Sequence, residues 1–243
     1  MADFALSFDE DLEGAFLYPF GEDALALILF GAPGSGKGTQ AKILSSELAM
    51  PHISTGDMLR SRMDVDDALG RTILAVMKSG QLVPDEMVNR MVEERIDQPD
   101  CQHGFILDGY PRTLRQAEMV EWLLAARGLK QLVIHLQVDY NKLVGRLTAR
   151  RQCPQCGTLY NLLSKPPLVM GRCDIEGAKL TIRADDSEPV IRQRLEAYEA
   201  QTRPLIEHFR GSGCLRDVDA SERPPAEIAR EIRQLVEEFR ASL

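Results

Sequence analysis

The chain has 243 residues, 44% of them hydrophobic and 27% charged, a balance that excludes global disorder. Its formal net charge of −8 argues against a general nucleic-acid or anionic-membrane binder, so any polyanion it handles must meet a local basic cluster. No apolar run approaches the roughly 20 residues of a membrane span, and the opening "MADFALSFDEDLEGAFLYPF" lacks the positive start and small-residue cleavage site of a signal peptide. The expected compartment is the cytoplasm, where the five cysteines stay reduced and a cluster of them points to metal or catalysis rather than disulfides.

In chain order, residues 1–23 form an extension of unassigned role in which Phe4, Leu6, Phe8, Phe16, Tyr18 and Phe20 pack on the core or on a partner, the core being the expectation. "ALALILF" (24–30) is a continuous apolar run ended by glycine, as for a strand buried on both faces of a parallel sheet. A helix is expected from about Lys37 to Leu48, then a helical, strandless stretch over 54–83. "PDEMVNRMVEERI" reads as a helix, "GFILDGYPR" as a second strand stopping at Asp108-Gly109, and "RQAEMVEWLLAAR" as a helix whose Trp122 is assigned to the core. "QLVIHLQVD" (131–139) is a third buried strand, with "NKLVGRLTARR" helical behind it. Residues 152–184, rich in Pro, Gly and Cys, break the alternation, and two helical segments complete the tail. The fold class is α/β, a parallel sheet covered by helices on both sides. His52 and His135 are expected as packed imidazoles, and Cys101 and Cys214 as buried structural thiols.

"GAPGSGKGT" (31–39) fits G-x-x-x-x-G-K-[ST] with Gly31, Gly36 and Lys37 in register, except that Gly38 stands where Ser or Thr is usual and Thr39 follows. Glycines let successive N–H groups turn toward a phosphate, the following helix presents its positive end, and Lys37, an exposed loop lysine in this reading, reaches the β and γ phosphates. Gly38 removes the hydroxyl that commonly holds Mg²⁺ directly. Asp108, where a buried strand stops, can orient water on Mg²⁺; a helix-cap or turn aspartate explains it when taken alone, but less well beside a phosphate loop. Arg60, Arg112, Arg146, Arg150, Arg183 and Arg194 supply the basic cluster that the net charge does not. Each alone could be a solvated surface charge.

Together "GAPGSGKGTQA", "HISTGDMLR", "GQLVPDE", "GFILDGYPRT" with Gln116 behind it, and "TIRADD" followed by "RQRL" resemble the adenylate kinase family, long bacterial type, over residues 24–236. The resemblance implies a P-loop core (24–53, 84–146 and 185–243) with two mobile insertions, one clamping the monophosphate (54–83) and one forming a lid over ATP (147–184). It implies that Gly34, Ser35, Gly36, Lys37, Gly38 and Thr39 hold the ATP phosphates, with Arg150, Leu159, Tyr160 and Arg223 completing the ATP site. Thr55, Arg60, Gln81, Leu82, Val83, Gly109, Tyr110, Pro111, Arg112 and Gln116 would bind AMP, joined by Arg183 and Arg194. Arg146, Arg183 and Arg194 would complete a ring around the transferring phosphoryl group. The implied reaction is reversible transfer from ATP to AMP giving two ADP, with Mg²⁺, in a monomer that binds neither nucleic acid nor membrane.

Cys153 and Cys156 form C-x2-C, and Cys173 opens a second half-site whose fourth position by the same spacing is Glu176. Two such knuckles suit a structural tetrahedral Zn²⁺, and soft thiolates also admit iron or cobalt. A metal-free lid held by hydrogen bonds and a redox C-x2-C pair stay open as alternatives. Family lids resemble this one with cysteine or aspartate in the last place, so Glu176 is a departure and Asp174 a weaker candidate. The competing functions are another nucleoside monophosphate kinase, a P-loop regulatory switch, and a zinc-ribbon interaction module on a kinase-like core.

Overall fold

In a computed structural model, which describes residues 20, 21 and 23–242, five strands form one parallel sheet. They are β1 (Leu25–Phe30), β2 (His52–Ser54), β3 (Gly104–Asp108), β4 (Lys130–Gln137) and β7 (Leu215–Asp219), in the order β2-β3-β1-β4-β7. All six residues of β1 are buried because the strand is central and covered twice. Ala24, Ala26, Ile28 and Phe30 enter one apolar cluster, while Leu25, Leu27 and Leu29 enter another on the opposite face. That two-faced burial is what an uninterrupted apolar run requires of a parallel strand.

The helices are α1 (Lys37–Leu48), α2 (Thr55–Met63), α3 (Ala68–Lys78), α4 (Asp85–Ile96), α5 (Leu114–Ala126), α6 (Tyr140–Thr148), α7 (Glu188–Ala197), α8 (Leu205–Gly211) and α9 (Pro225–Ala241). Helices α4 and α5 supply the first cluster, α1 and α9 the second. The stretch read as strandless from residue 54 begins with the last residue of β2, and α2 and α3 fill most of it. A wide π turn at Tyr198–Thr202 and Pro204 separate α7 from α8, so the segment read as one helix bends there.

Trp122 is 43% exposed, against the expectation that it lies in the core. The buried positions of α5 are Gln116, Ala117, Val120, Leu123 and Leu124, and residue 122 falls beside that stripe. Cys101, Cys214 and His135 are buried. His135 bonds Asp217 (2.7 Å) and packs edge-on against Phe30, whereas His52 reaches Asp108. Of the extension's aromatic residues only Phe20 is described, partly buried against the first cluster; Phe4, Leu6, Phe8, Phe16 and Tyr18 lie outside the described residues.

Residues 150–184 form a small separate unit. β5 (Arg150–Gln152) pairs antiparallel with β6 (Leu159–Asn161), and Cys153, Tyr160, Cys173 and Leu180 make its interior.

Candidate active site

The C-terminal ends of β1 and β3 open into a cleft of about 350 Å³. Its floor is the loop after β1. Gly36 caps α1 in the left-handed region (φ 102°) with no side chain on the first N–H groups, which leaves the helix N-terminus open to an anion. Ser35 Oγ is buried there without a hydrogen-bond partner. Lys37, read as an exposed loop lysine, is instead the first residue of α1 and folds back, donating to the carbonyls of Gly31 (2.6 Å) and Ala32 (2.9 Å). Burial pulls its ammonium down to about 7; Asp108 opposes this, and Arg112, Arg194 and Arg150 reinforce it. A Cβ on Gly38 would lie 3.2 Å from Asp108 Oδ2, so the missing side chain is what lets the carboxylate close over the start of α1.

The arginines do not wait free in solvent. Arg150 forks onto Asp186 (Nε to Oδ2, 2.7 Å), and Arg194 reaches both Asp186 (2.9 Å) and Asp185 (3.0 Å). Arg60 holds Asp57 at 2.6 Å and lies 3.8 Å from Asp185, while Arg183 stands 3.7 Å from Asp57 and donates to Gln152 (2.7 Å). Arg112 donates to the carbonyl of Gly109 (2.7 Å). Burial, then neighbouring guanidiniums, brings Arg112 and Arg183 down to about 10. Asp185 stays below the usual carboxylate range: burial raises it, but Arg194, Arg60, Arg150 and Arg183 together lower it further. Asp57, Asp185 and Asp186 are the functional residues the sequence reading passed over. The signal was present in "RADD": several guanidiniums brought together before any phosphate arrives need counter-charges.

Most expected site residues line this one cleft: Gly34 to Thr39, Arg60, Gln81 to Val83, Asp108 to Arg112, Arg146, Arg150, Leu159, Tyr160, Arg183, Arg194 and Arg223. Three placements differ from expectation. Arg146 turns from the arginine group to donate to the carbonyls of Ala220 (2.9 Å) and Ser221 (2.6 Å). Thr55 and Gln116 stand behind the wall, 3% and 2% exposed. Thr55 donates to the Gly109 carbonyl (2.8 Å). Gln116 accepts from the Arg112 N–H (2.8 Å) and donates to Asp85 (2.7 Å). These partners fix its amide orientation, because one can only donate and the other only accept.

In the unit of residues 150–184, the sulfurs of Cys153, Cys156 and Cys173 lie within 4.8 Å of one another. The two turns are alike: the Cys153 N–H bonds Thr158 O and Gly157 N–H bonds Cys153 O, as Cys173 N–H bonds Ala178 O and Gly177 N–H bonds Cys173 O. Glu176 thus occupies in the second turn the place of Cys156 in the first. Its side chain is exposed, and its carboxylate is not among the gathered ligand atoms, so three of the four expected ligands come together. Burial raises the Cys173 thiol, but the Tyr160 hydroxyl and the N–H groups of Glu176 and Ile175 bring it down to about 6. A thiol already disposed to ionise suits a soft divalent metal.

The family model described as adenylate kinase matches residues 29–214. The chain is 46% identical to the adenylate kinase of Moorella thermoacetica over 205 residues, 84% of this chain and 94% of that protein. It is 46% identical to that of Exiguobacterium sibiricum over 212 residues (86% and 98%), and 45% identical to that of Pseudothermotoga lettingae over 213 (87% and 98%). With the lysine-bearing phosphate loop, the strand-end carboxylate and the arginines in one cleft, this extent of identity shows that the chain belongs to the adenylate kinase family.

Proposed function

We propose that the cleft holds two nucleotides at once and that its residues divide the family's reaction between them. That reaction is reversible transfer of the terminal phosphoryl group from ATP to AMP, giving two ADP. The loop from Gly34 to Thr39 takes the ATP phosphates on its open N–H groups, and Lys37 exchanges the carbonyls of Gly31 and Ala32 for phosphate oxygens. Arg150, Leu159, Tyr160 and Arg223 complete the ATP side. Arg60, Gln81 to Val83 and Gly109 to Arg112 receive AMP, with Arg183 and Arg194 between the two. The observation that carries this reading is the set of carboxylates, Asp57, Asp185 and Asp186, already holding arginines where phosphates would go. Exchanging carboxylate for phosphate keeps each guanidinium paired and in place. A regulatory switch needs no second set of arginines.

Mg²⁺ bound with ATP would neutralise phosphate charge, and Asp108 would orient its water; the absence at Gly38 of a Cβ that would lie 3.2 Å from Asp108 Oδ2 supports this reading. Closing the lid would exclude water, the competing acceptor. Base choice would rest on Gln116, which must be uncovered from behind the wall as AMP enters: with its oxygen held by Arg112 and one N–H by Asp85, one N–H remains for the base. A donor suits the unprotonated ring nitrogen of adenine and opposes the N–H of guanine. A coupled assay for ADP should show kcat/KM for AMP above that for GMP or UMP by on the order of a hundredfold or more. Comparable values would move the chain to a sister nucleotide kinase.

In the lid, Cys153, Cys156 and Cys173 would hold a structural Zn²⁺, with Glu176 the protein group best placed by turn geometry to swing in as fourth ligand. The metal would supply folding energy, and the chain's own part is to carry Arg150 and Arg183 on a stiff unit. The chain would act as a monomer in the cytoplasm, a compartment in which five free cysteines are expected. Among the described residues no helix is long and apolar enough to cross a membrane.

A further inference from the structure

Strand β2 carries a side chain that the reaction outlined above leaves unused. Ser54 pairs in register with Asp108, which brings His52, two residues earlier on the same face, diagonally under the Asp108 carboxylate. His52 Nε2 lies 3.2 Å from Asp108 Oδ2, with the two side chains 14% and 13% exposed. His52 also lines the cleft. Among the described residues this is the one side-chain hydrogen bond made to that carboxylate.

The contact matters because of what else acts on Asp108. The loop lacks the hydroxyl usual at position 38, so Asp108 is left as the protein group on the metal side. Its neighbours Lys37 and Arg112 are both buried cations that Asp108 stabilises. A carboxylate free to rotate would swing onto one of them, pairing with a group meant for phosphate and turning away from the metal's water. An N–H donor fixed on one oxygen holds the carboxylate against that pull.

We infer that His52 is a positioning residue for this reaction: its Nε2–H fixes the Asp108 carboxylate so that it orders the water of the ATP-bound metal. The inference rests on the metal-side reading of Asp108. Outer-shell partners of this sort are worth roughly 10- to 100-fold in activity or metal affinity.

Two variants separate positioning from packing. His52→Leu fills the space without a donor, and His52→Gln restores an N–H at about the reach of Nε2. With saturating nucleotides, His52→Leu should lower kcat roughly tenfold while leaving KM for ATP and AMP within about twofold, the lower end for an outer-shell partner. The second readout is independent of turnover. The EPR spectrum of Mn²⁺–ATP bound to the protein reports how well the metal's waters are ordered; it should change in His52→Leu and return to the parent form in His52→Gln. If His52→Leu does not fold, His52→Asn, polar but too short, takes its place. An unchanged spectrum in the donor-less variant, or a His52→Gln protein behaving like His52→Leu, would overturn the inference. Should Asp108→Asn leave the bound Mn²⁺–ATP spectrum unchanged in a protein that still makes ADP, the metal-side role of Asp108 falls and this inference with it, while the family reaction stands.

Discussion

In the core, apolar side chains point inward from both faces of β1, and Leu25, Ala26, Leu27 and Ile28 are all 0% exposed. In residues 150–184, the segment we propose as the lid, the arrangement is reversed. Leu168 is 90% exposed, Leu163 75%, Met170 71% and Ile175 69%, while the residues turned inward are Cys153, Tyr160, Cys173 and Leu180. A unit of this size encloses few aliphatic side chains, here Leu180, so most of its order must come from cross-links and backbone turns. The comparison shows two sources of stability in one chain. The core is held by apolar area removed from water, and the lid by a few directional contacts around sulfur. The first is distributed and strong. The second is local, and its loss need not unfold the rest.

The largest expected effect breaks the comparison at its strong end. Leu27→Ala removes a fully buried side chain facing α1 and α9, and should cost about 2–5 kcal/mol in urea unfolding. Leu168→Ser, at the lid tip, should change stability by no more than about 0.5 kcal/mol. A Leu168→Ser cost approaching that of Leu27→Ala would mean that the lid's aliphatic residues are covered by something, and the contrast would fail.

Metal removal tests the weak end. Protein purified without chelator should contain about one zinc per chain. A strong chelator, or Cys156→Ser, should speed amide exchange across residues 150–184 while leaving β1 and β4 protected, as expected of a locally cooperative unit. Turnover at low temperature should fall less than lid protection does. Metal-free protein whose lid exchange is unchanged by added zinc would remove the metal from the account, leaving the hydrogen bonds of Tyr160 and Thr158 to hold the thiols.

How much of this was legible in the sequence follows the same division. The buried strands announce themselves as β1, β3 and β4, because a parallel strand covered on both faces must be apolar throughout. β2 and β7 leave no such mark. β2 has three residues, and β7, "LRDVD", is an edge strand with only Leu215 and Val218 buried. The phosphate loop is local in sequence and reads directly. The arginines read as phosphate ligands, but their partners do not: Asp57 is 128 residues from Asp185, and only the fold shows that Arg60 meets both carboxylates and that Arg183 approaches Asp57. Arg146 is expected in the phosphoryl ring by resemblance alone, and the acceptors that claim it are backbone carbonyls no pattern displays. In residues 150–184 the C-x2-C spacing singled out the three cysteines that the fold gathers, while the exposure of Glu176 depends on a side-chain direction that spacing does not contain.

The smallest effect expected sharpens the comparison where the two regions meet, at Lys37. Core arginines 112 and 194 and the lid's Arg150 all press on its ammonium, which burial has already brought down to about 7. Bound polyphosphate adds negative charge beside it and raises that value. The sign follows. Below about pH 7 Lys37 is charged in both states, and binding moves no proton through it. Above it the free protein holds mostly the amine and the complex the ammonium, so ATP binding takes up a proton and affinity declines as pH rises toward the value in the complex. Calorimetry at pH 8 in buffers of different ionisation enthalpy should register uptake of most of one proton, and Lys37→Met should abolish it. Arg150→Ala, which removes the lid's share of the repulsion, should raise the free-state value and reduce the uptake without abolishing it. If Arg150→Ala leaves the proton count untouched, the lid does not act on the loop before ATP arrives, and the two regions are electrostatically independent in the free protein.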